Sequence, residues 1–287
     1  MSQHTPQDHI SRKKVLYRMP GVDAVTVRRD VEYRATDAGP LTMDLYYPPD
    51  STGGARTPAV VFVTGFSDAG AQKMFGCVLK EMGSYVSWAQ LAAASGMVAV
   101  TYMNHDPAAD AHTAIEHVRQ NAESLGIDEN RIGVFSFSGN VPTALSVLMR
   151  DAGTHPKCAV LCYPYTLDLD GATHVANAAR QFGFVTPCAG KTIDDLPRDV
   201  LLFIARAGQD RMPGLNEALD RFVNHALTRN LPLTVVNHPT GPHAFDLFDD
   251  SETSREIIRH VLAFLRFNLA GEERKGREGR EESFFSE

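Results

Sequence analysis

Ser138, Asp210 and His243 are three side chains that could together make a nucleophile. A serine hydroxyl attacks poorly at neutral pH and needs an imidazole to take its proton. The imidazole in turn needs a carboxylate to fix its tautomer and stabilise its cation. Ser138 stands in Ser136-Phe137-Ser138-Gly139-Asn140, just after the apolar run at residues 131–135 and just before Pro142. Proline suits only the first turn of a helix, where its missing N–H costs nothing, so a helix must begin almost at once after Ser138. A serine wedged between strand and helix lifts its hydroxyl above a sheet, beside backbone N–H groups able to meet a developing oxyanion. Sharp turns of this kind usually read G-x-S-x-G. Here Ser136 and Asn140 replace both glycines. Ser136 is small, and Asn140 is larger but of a type that tolerates unusual φ/ψ. On this pentapeptide alone, Ser138 reads equally well as a helix cap.

The downstream residues shift that balance. Residues 200–205 form an apolar run followed by Arg206-Ala207-Gly208-Gln209-Asp210, which places a carboxylate at a strand end. Residues 231–237 form the next, followed by Pro239-Thr240-Gly241-Pro242-His243-Ala244-Phe245. The serine, acid and base thus come in chain order after three successive strands. His238 competes for the role of base, but it abuts the strand and precedes Pro239. His243 sits in a Gly/Pro-containing loop that can reach back over a sheet. Asp246 competes for the role of acid but reads as the start of the following helical region. His105 reads as a solvated loop residue, Asp168 and Asp170 as solvated side chains, and Trp88 as core.

The elements that must position these groups alternate along the chain. Residues 25–33 and 41–47 alternate apolar and polar side chains around Asp37-Ala38-Gly39-Pro40, the pattern of an antiparallel hairpin. Buried runs follow at 59–64, 97–103, 131–135, 158–163, 200–205 and 231–237. Helical segments are predicted near 80–94, 108–125, 142–150, 216–229 and 252–269. The expected fold class is α/β, a mostly parallel twisted sheet of about eight strands with helices on both faces. In such a sheet the site lies at the carboxyl ends of the strands. Residues 167–198 are too long for a simple connection, and their apolar content reads as a small cap. Residues 1–20 are expected to be a flexible segment, 21–270 one domain and 271–287 a disordered tail.

Composition narrows the partners. A chain of 287 residues with 43% hydrophobic and 22% charged residues is an ordinary globular domain. A net charge of −7, with no Lys/Arg cluster outside the short Arg12-Lys13-Lys14 and the mixed C-terminal tail, argues against a nucleic-acid partner. No apolar run is long enough to span a membrane, and no secretory signal is visible, which gives a cytoplasmic expectation. Cys77, Cys158, Cys162 and Cys188 lack metal-type spacing and read as small buried residues. No cofactor or metal is expected, and a homodimer is an admissible assembly.

From about residue 41 to 269 the chain resembles the α/β-hydrolase superfamily, closest in style to its dienelactone-hydrolase-like and acetyl-esterase-like branches. The resemblance rests on the strand-end Gly65, the elbow at Ser138, the stretch 210–213 and the loop 241–245. It implies an α/β-hydrolase fold with Ser138 as nucleophile, Asp210 as acid and His243 as base. The cysteine nucleophile of dienelactone hydrolases proper is absent. Where related esterases carry His-Gly-Gly, this chain has Thr64-Gly65-Phe66, so the Phe66 and Gly139 N–H groups are the expected oxyanion donors. Gly65, Phe137, Phe182 and Phe184 are the expected substrate-binding residues. The expected activity is hydrolysis of a small-molecule carboxylic ester through an acyl-enzyme on Ser138. An amidase or peptidase with the same triad and a low-turnover ligand-binding protein are the alternatives.

Overall fold

The computed structural model describes residues 9–49, 51, 56–150 and 155–270. Its continuous apolar runs become strands buried on both faces, except that the run expected at 231–237 forms an edge strand, Leu233–His238, where only His238 is buried and Val235 is exposed. In β3 (Thr57–Phe62), Val60 and Phe62 belong to one hydrophobic core and Val61 to the other, as the two-residue period of a strand requires. The remaining strands are β1 (Thr26–Arg34), β2 (Leu41–Tyr47), β4 (Val98–Tyr102), β5 (Ile127–Phe137), β6 (Cys158–Cys162), β7 (Leu201–Ala207) and β8 (Leu233–His238).

These form one eight-stranded sheet in the order β1-β2-β4-β3-β5-β6-β7-β8. The β1–β2 and β2–β4 pairings are antiparallel and all the others parallel. The chain moves outward from β3 to β4, then returns to the other side of β3 for β5. That reversal opens a crevice at the carboxyl ends of β3 and β5, where a doubly wound sheet takes its ligand. Helices α2 (Gly83–Ala94) and α8 (Glu252–Asn268), the latter preceded by the one-turn α7 (Phe245–Phe248), cover one face, and α3 (Pro107–Gln120), α4 (Val141–Leu148) and α6 (Leu215–Thr228) the other. Trp88 of α2 is a core residue.

Several elements differ from the sequence expectation. Residues 68–75 form a helix, α1 (Asp68–Phe75), where no apolar periodicity marks one. Ser67 Oγ caps it by accepting the Gly70 N–H, and Gly76 ends it in the left-handed region at φ 75°. Helix α2 starts at Gly83 instead of residue 80. There the N-terminal segment crosses so closely that a Cβ on Gly83 would lie 2.7 Å from the Lys13 carbonyl oxygen. This segment, from the first described residue onward, packs against the domain. The Val15 N–H donates to Ser87 Oγ at 3.0 Å and the Leu16 N–H to the Asp246 carbonyl at 2.8 Å. Residues 167–198 hold α5 (His174–Phe182) and a short 3-10 turn, Ile193–Asp195. Asp168 is no solvated side chain, since its carboxylate accepts the Val175 and Ala176 N–H groups at the start of α5. The expected tail, residues 271–287, lies outside the described residues.

A buried ion pair ties the antiparallel hairpin to the turn before α2. Lys80 Nζ donates to Asp30 Oδ1 at 2.7 Å and to Asp44 Oδ1 at 3.0 Å, and the Lys80 and Asp44 side chains are both almost fully buried. Lys80→Met would leave Asp44 with the Asp30 N–H and a longer Arg29 contact. Breaking a buried pair from one side strands the other charge. The expected outcome is a loss of about 3 kcal/mol in unfolding free energy, read as a lower urea midpoint at unchanged slope.

Candidate active site

Strand β5 ends at Phe137 in extended backbone, and Ser138 then turns into the left-handed region at φ 49°. That conformation is costly for a residue bearing a Cβ and survives only where its surroundings enforce it. A 3-10 turn (Ser138–Asn140) runs straight into α4, with Pro142 in its first turn. The elbow expected from the position of Pro142 is therefore present.

Two further strand ends bring the imidazole and the carboxylate to this serine. Ser138 Oγ lies 3.0 Å from His243 Nε2, and His243 Nδ1 lies 2.6 Å from Asp210 Oδ2. A carboxylate only accepts, so Nδ1 carries the proton and Nε2 is left to accept from the serine hydroxyl. Asp210 follows β7 with a fully buried side chain, and its other oxygen accepts the Met212 N–H at 2.9 Å. The loops bearing acid and imidazole are joined main chain to main chain. The Gly208 N–H donates to the His238 carbonyl at 2.8 Å and the Gln209 N–H to the Gly241 carbonyl at 2.9 Å. This linkage holds an imidazole where it can accept a proton from a serine hydroxyl and return it.

The rival residues occupy other places. His238 is fully buried, with Nε2 2.8 Å from Asp249 Oδ2 and 3.0 Å from Ser254 Oγ, and its ring packs beneath Gly241. Asp246 accepts from Trp88 Nε1 at 2.7 Å and from the Tyr163 hydroxyl at 2.9 Å. Burial raises the pKa of its carboxyl. Tyr163, the residue directly after β6, sets its ring 4.9 Å from the His243 ring, edge to face. Tyr163 went unrecognised in the sequence, although the strand-end rule points to its position.

Opposite Ser138 lies the loop after β3. The Gly65 carbonyl accepts the Val185 N–H, three residues after α5, at 2.9 Å. A planar trans peptide sends the Phe66 N–H the opposite way, and that N–H has no acceptor among the described residues. The Gly139 N–H, in the first turn of a helix, likewise lacks an intrahelical acceptor. Gly65 itself does not line the cavity. It lies against the elbow, where a Cβ would come within 2.7 Å of the Gly139 carbonyl oxygen. Asn104, buried, donates to the Phe66 carbonyl and Thr64 Oγ1 at 3.0 Å each, and its own N–H donates to Asp68 Oδ2.

A cavity of about 280 Å³ opens beside Ser138 and His243. Phe66, Phe137, Phe182 and Phe184 all line it, joined by Tyr163, Met212, Leu247 and Phe248. Ile10 of the N-terminal segment and Met74 and Phe75 of α1 complete the wall. Among the described residues no Asp, Glu, Lys or Arg lines it. A larger groove, about 820 Å³, lies along α3 and α4 beside His112, Glu116 and Cys188, and holds none of the three grouped residues. Among the described residues no cluster of three or more His, Cys, Asp or Glu could hold a metal ion. No helix among them is long and apolar enough to cross a membrane.

No protein-family model and no curated protein sequence matches the chain. Solved structures do. The chain is similar to the esterase LipW from Mycobacterium marinum, at 18% identity and a TM-score of 0.63, over 86% of this chain and 83% of that one. It is similar to the thermophilic esterase Est2 from Thermogutta terrifontis, at 20% identity and a TM-score of 0.63, over 88% and 94%. A bacterial heroin esterase matches at 16% identity and a TM-score of 0.63, over 89% and 88%. At these identities the likeness is one of fold. The chain has the α/β-hydrolase fold, an open eight-stranded sheet with helices on both faces.

The loop after β3 carries its own pH signature. Burial raises the Asp68 carboxyl to about 6, against the lowering effect of the Asn104 N–H. The unfolded chain releases this proton near pH 4, whereas the native state holds it to about 6. The native state binds more protons between those values, so its stability falls as pH rises through that window. Asp68→Asn, which keeps an acceptor for Asn104, should flatten the urea-unfolding profile there by about 2 kcal/mol relative to wild type.

Proposed function

We propose that the chain is a serine hydrolase that cleaves carboxylic esters through an acyl-enzyme on Ser138. The observation that carries this reading is the Ser138 Oγ–His243 Nε2 contact of 3.0 Å, with Asp210 at 2.6 Å behind the imidazole. Ser138 Oγ attacks the ester carbonyl while His243 Nε2 takes its proton. The resulting imidazolium is stabilised by Asp210, and the oxyanion is received by the Phe66 and Gly139 N–H groups. The tetrahedral species collapses as His243 returns the proton to the leaving alcohol. A water deprotonated by the same nitrogen then attacks the acyl carbonyl, releases the acid and restores the serine.

The lining of the cavity supports a neutral, apolar acyl group, because among the described residues no Asp, Glu, Lys or Arg is there to meet a charged one. Its 280 Å³ lies near the small end of ligand cavities, which run roughly 300–1,000 Å³. Residues 167–198, as a cap, would close one side of it with Phe182 and Phe184. The structural neighbours are named as esterases, which favours esters over amides within the same chemistry.

Ser138→Ala should abolish turnover of p-nitrophenyl butyrate and labelling by a fluorophosphonate probe while leaving circular dichroism and melting temperature unchanged. Undiminished turnover in that variant would sink the assignment. Asp210→Asn should retain the fold and lose about ten-thousandfold in kcat, as replacing the acid releases the imidazole from its working tautomer. Tight ligand binding by a wild type that is never labelled would favour the non-catalytic alternative.

A further inference from the structure

Both residues that break the G-x-S-x-G pattern reach across to the neighbouring strand. Ser136, which has no exposed surface, donates its hydroxyl to the Val63 carbonyl at 3.1 Å. Asn140, also buried, accepts the Gly65 N–H on its side-chain oxygen at 2.7 Å. The two bonds leave the elbow on either side of Ser138 and land at residues 63 and 65, directly before Phe66. A glycine could make neither. Asn140 lies in ordinary helical backbone, φ −83° and ψ −19°, so tolerance of unusual torsions is not what the site uses it for. It is the acceptor that the site uses.

We propose that Ser136 and Asn140 form a side-chain clamp that fixes the Phe66 N–H relative to Ser138, which makes them positioning residues for the oxyanion site. The proposal rests on the serine-hydrolase reading above. Gly65 is the hinge of this loop, a residue with two soft torsions and no side chain to restrain them. Its carbonyl is held by the Val185 N–H and its N–H by Asn140, so both ends are fixed. The orientation of the Phe66 N–H, which shares a peptide plane with the Gly65 carbonyl, follows. Without the Asn140 oxygen the Gly65 N–H becomes a buried donor with no acceptor. The hinge would then turn to satisfy it and carry the Phe66 N–H away from the oxyanion. Such misplacement acts on the transition state far more than on substrate binding.

The test combines kinetics on p-nitrophenyl butyrate with hydrogen exchange at the Gly65 amide. Asn140→Ala and Asn140→Gly should lower kcat about ten- to a hundredfold, with KM changed less than about threefold. The Gly65 amide should exchange at least about tenfold faster in both. Asn140→Asp, which keeps an acceptor, should retain Gly65 protection, and Ser136→Ala should lower kcat by about threefold to tenfold. If Asn140→Ala does not fold, these last two variants carry the comparison. Wild-type kcat in Asn140→Gly, or unchanged Gly65 exchange in it, would overturn the clamp. A lower melting temperature with kcat unchanged would overturn it too, since that is a structural role alone. Wild-type inactivity toward esters would overturn the hydrolase reading itself. The exchange measurement needs no turnover and tells the two failures apart.

Discussion

A Cβ at Gly65 would stand 2.7 Å from the Gly139 carbonyl oxygen and 2.8 Å from Asn140 Cα, so the loop after β3 and the elbow after β5 touch through their main chains. The sheet prepares this approach. Phe62 pairs with Phe135 in parallel register, and the Val63 N–H continues the ladder to the Phe135 carbonyl at 2.9 Å. Three residues further on, both chains must leave the sheet in the same small space. One does so through the left-handed Ser138, the other through a residue with no side chain. A sharp elbow needs a small residue near its second flank, and the familiar pattern supplies it from within the elbow. Here the missing side chain is on the facing loop. Asn140 has room because Gly65 has given it up, and the freed space holds the bond between them.

That exchange of roles explains which parts of the site could be read from the sequence. The chain order of Ser138, Asp210 and His243 was legible because β5, β7 and β8 are apolar runs, and a parallel sheet sends everything after such runs to one edge. The elbow pentapeptide was legible only as a degraded pattern. No local rule says that a glycine 75 positions upstream of Asn140 relieves the crowding there. Helix α1 escaped notice for a related reason. Its signals are the Ser67 cap and the left-handed Gly76, and the interior between them has no apolar stripe to lengthen the pattern. Ile10 and Val15 carry no signal at all, since their partners, the cavity and α2, are separated from them by tens of residues. Phe182 and Phe184 could be guessed because a long insertion between strands has few other uses for aromatic side chains.

Two histidines sit at the end of β8, five residues apart, each beside a carboxylate. Their surroundings separate them. His238 points into the molecule, where Nε2 donates to the Asp249 carboxylate and Nδ1, the nitrogen left to accept, is buried with no hydrogen-bond partner among the described residues. Its ring serves as a platform, because a Cβ on Gly241 would come within 2.5 Å of it. The loop between the two histidines can lie flat on that ring only with glycine at 241. His243, at the far end of the same loop, is thereby carried back over the sheet, partly exposed, with one nitrogen on Asp210 and the other toward Ser138. The first histidine builds the support from which the second is presented.

The two carboxylates near His243 divide in the same way. Asp246 is only three residues along the chain from it, yet its oxygens are taken by Trp88 Nε1 and the Tyr163 hydroxyl deep in the core. Burial there disfavours the charged form, so Asp246 is poorly suited to stabilising an imidazolium. What it can do is hold Tyr163, and the Tyr163 ring in turn forms the edge-to-face contact on which the imidazole rests. Asp210, 33 residues away in sequence, is also buried, but it keeps one oxygen for the imidazole and gives the other to a single backbone N–H. Separation along the chain is a poor guide to which acid serves a base. The partners that each carboxylate already has decide it, with one acid fixed as part of the floor and the other left able to meet a charge.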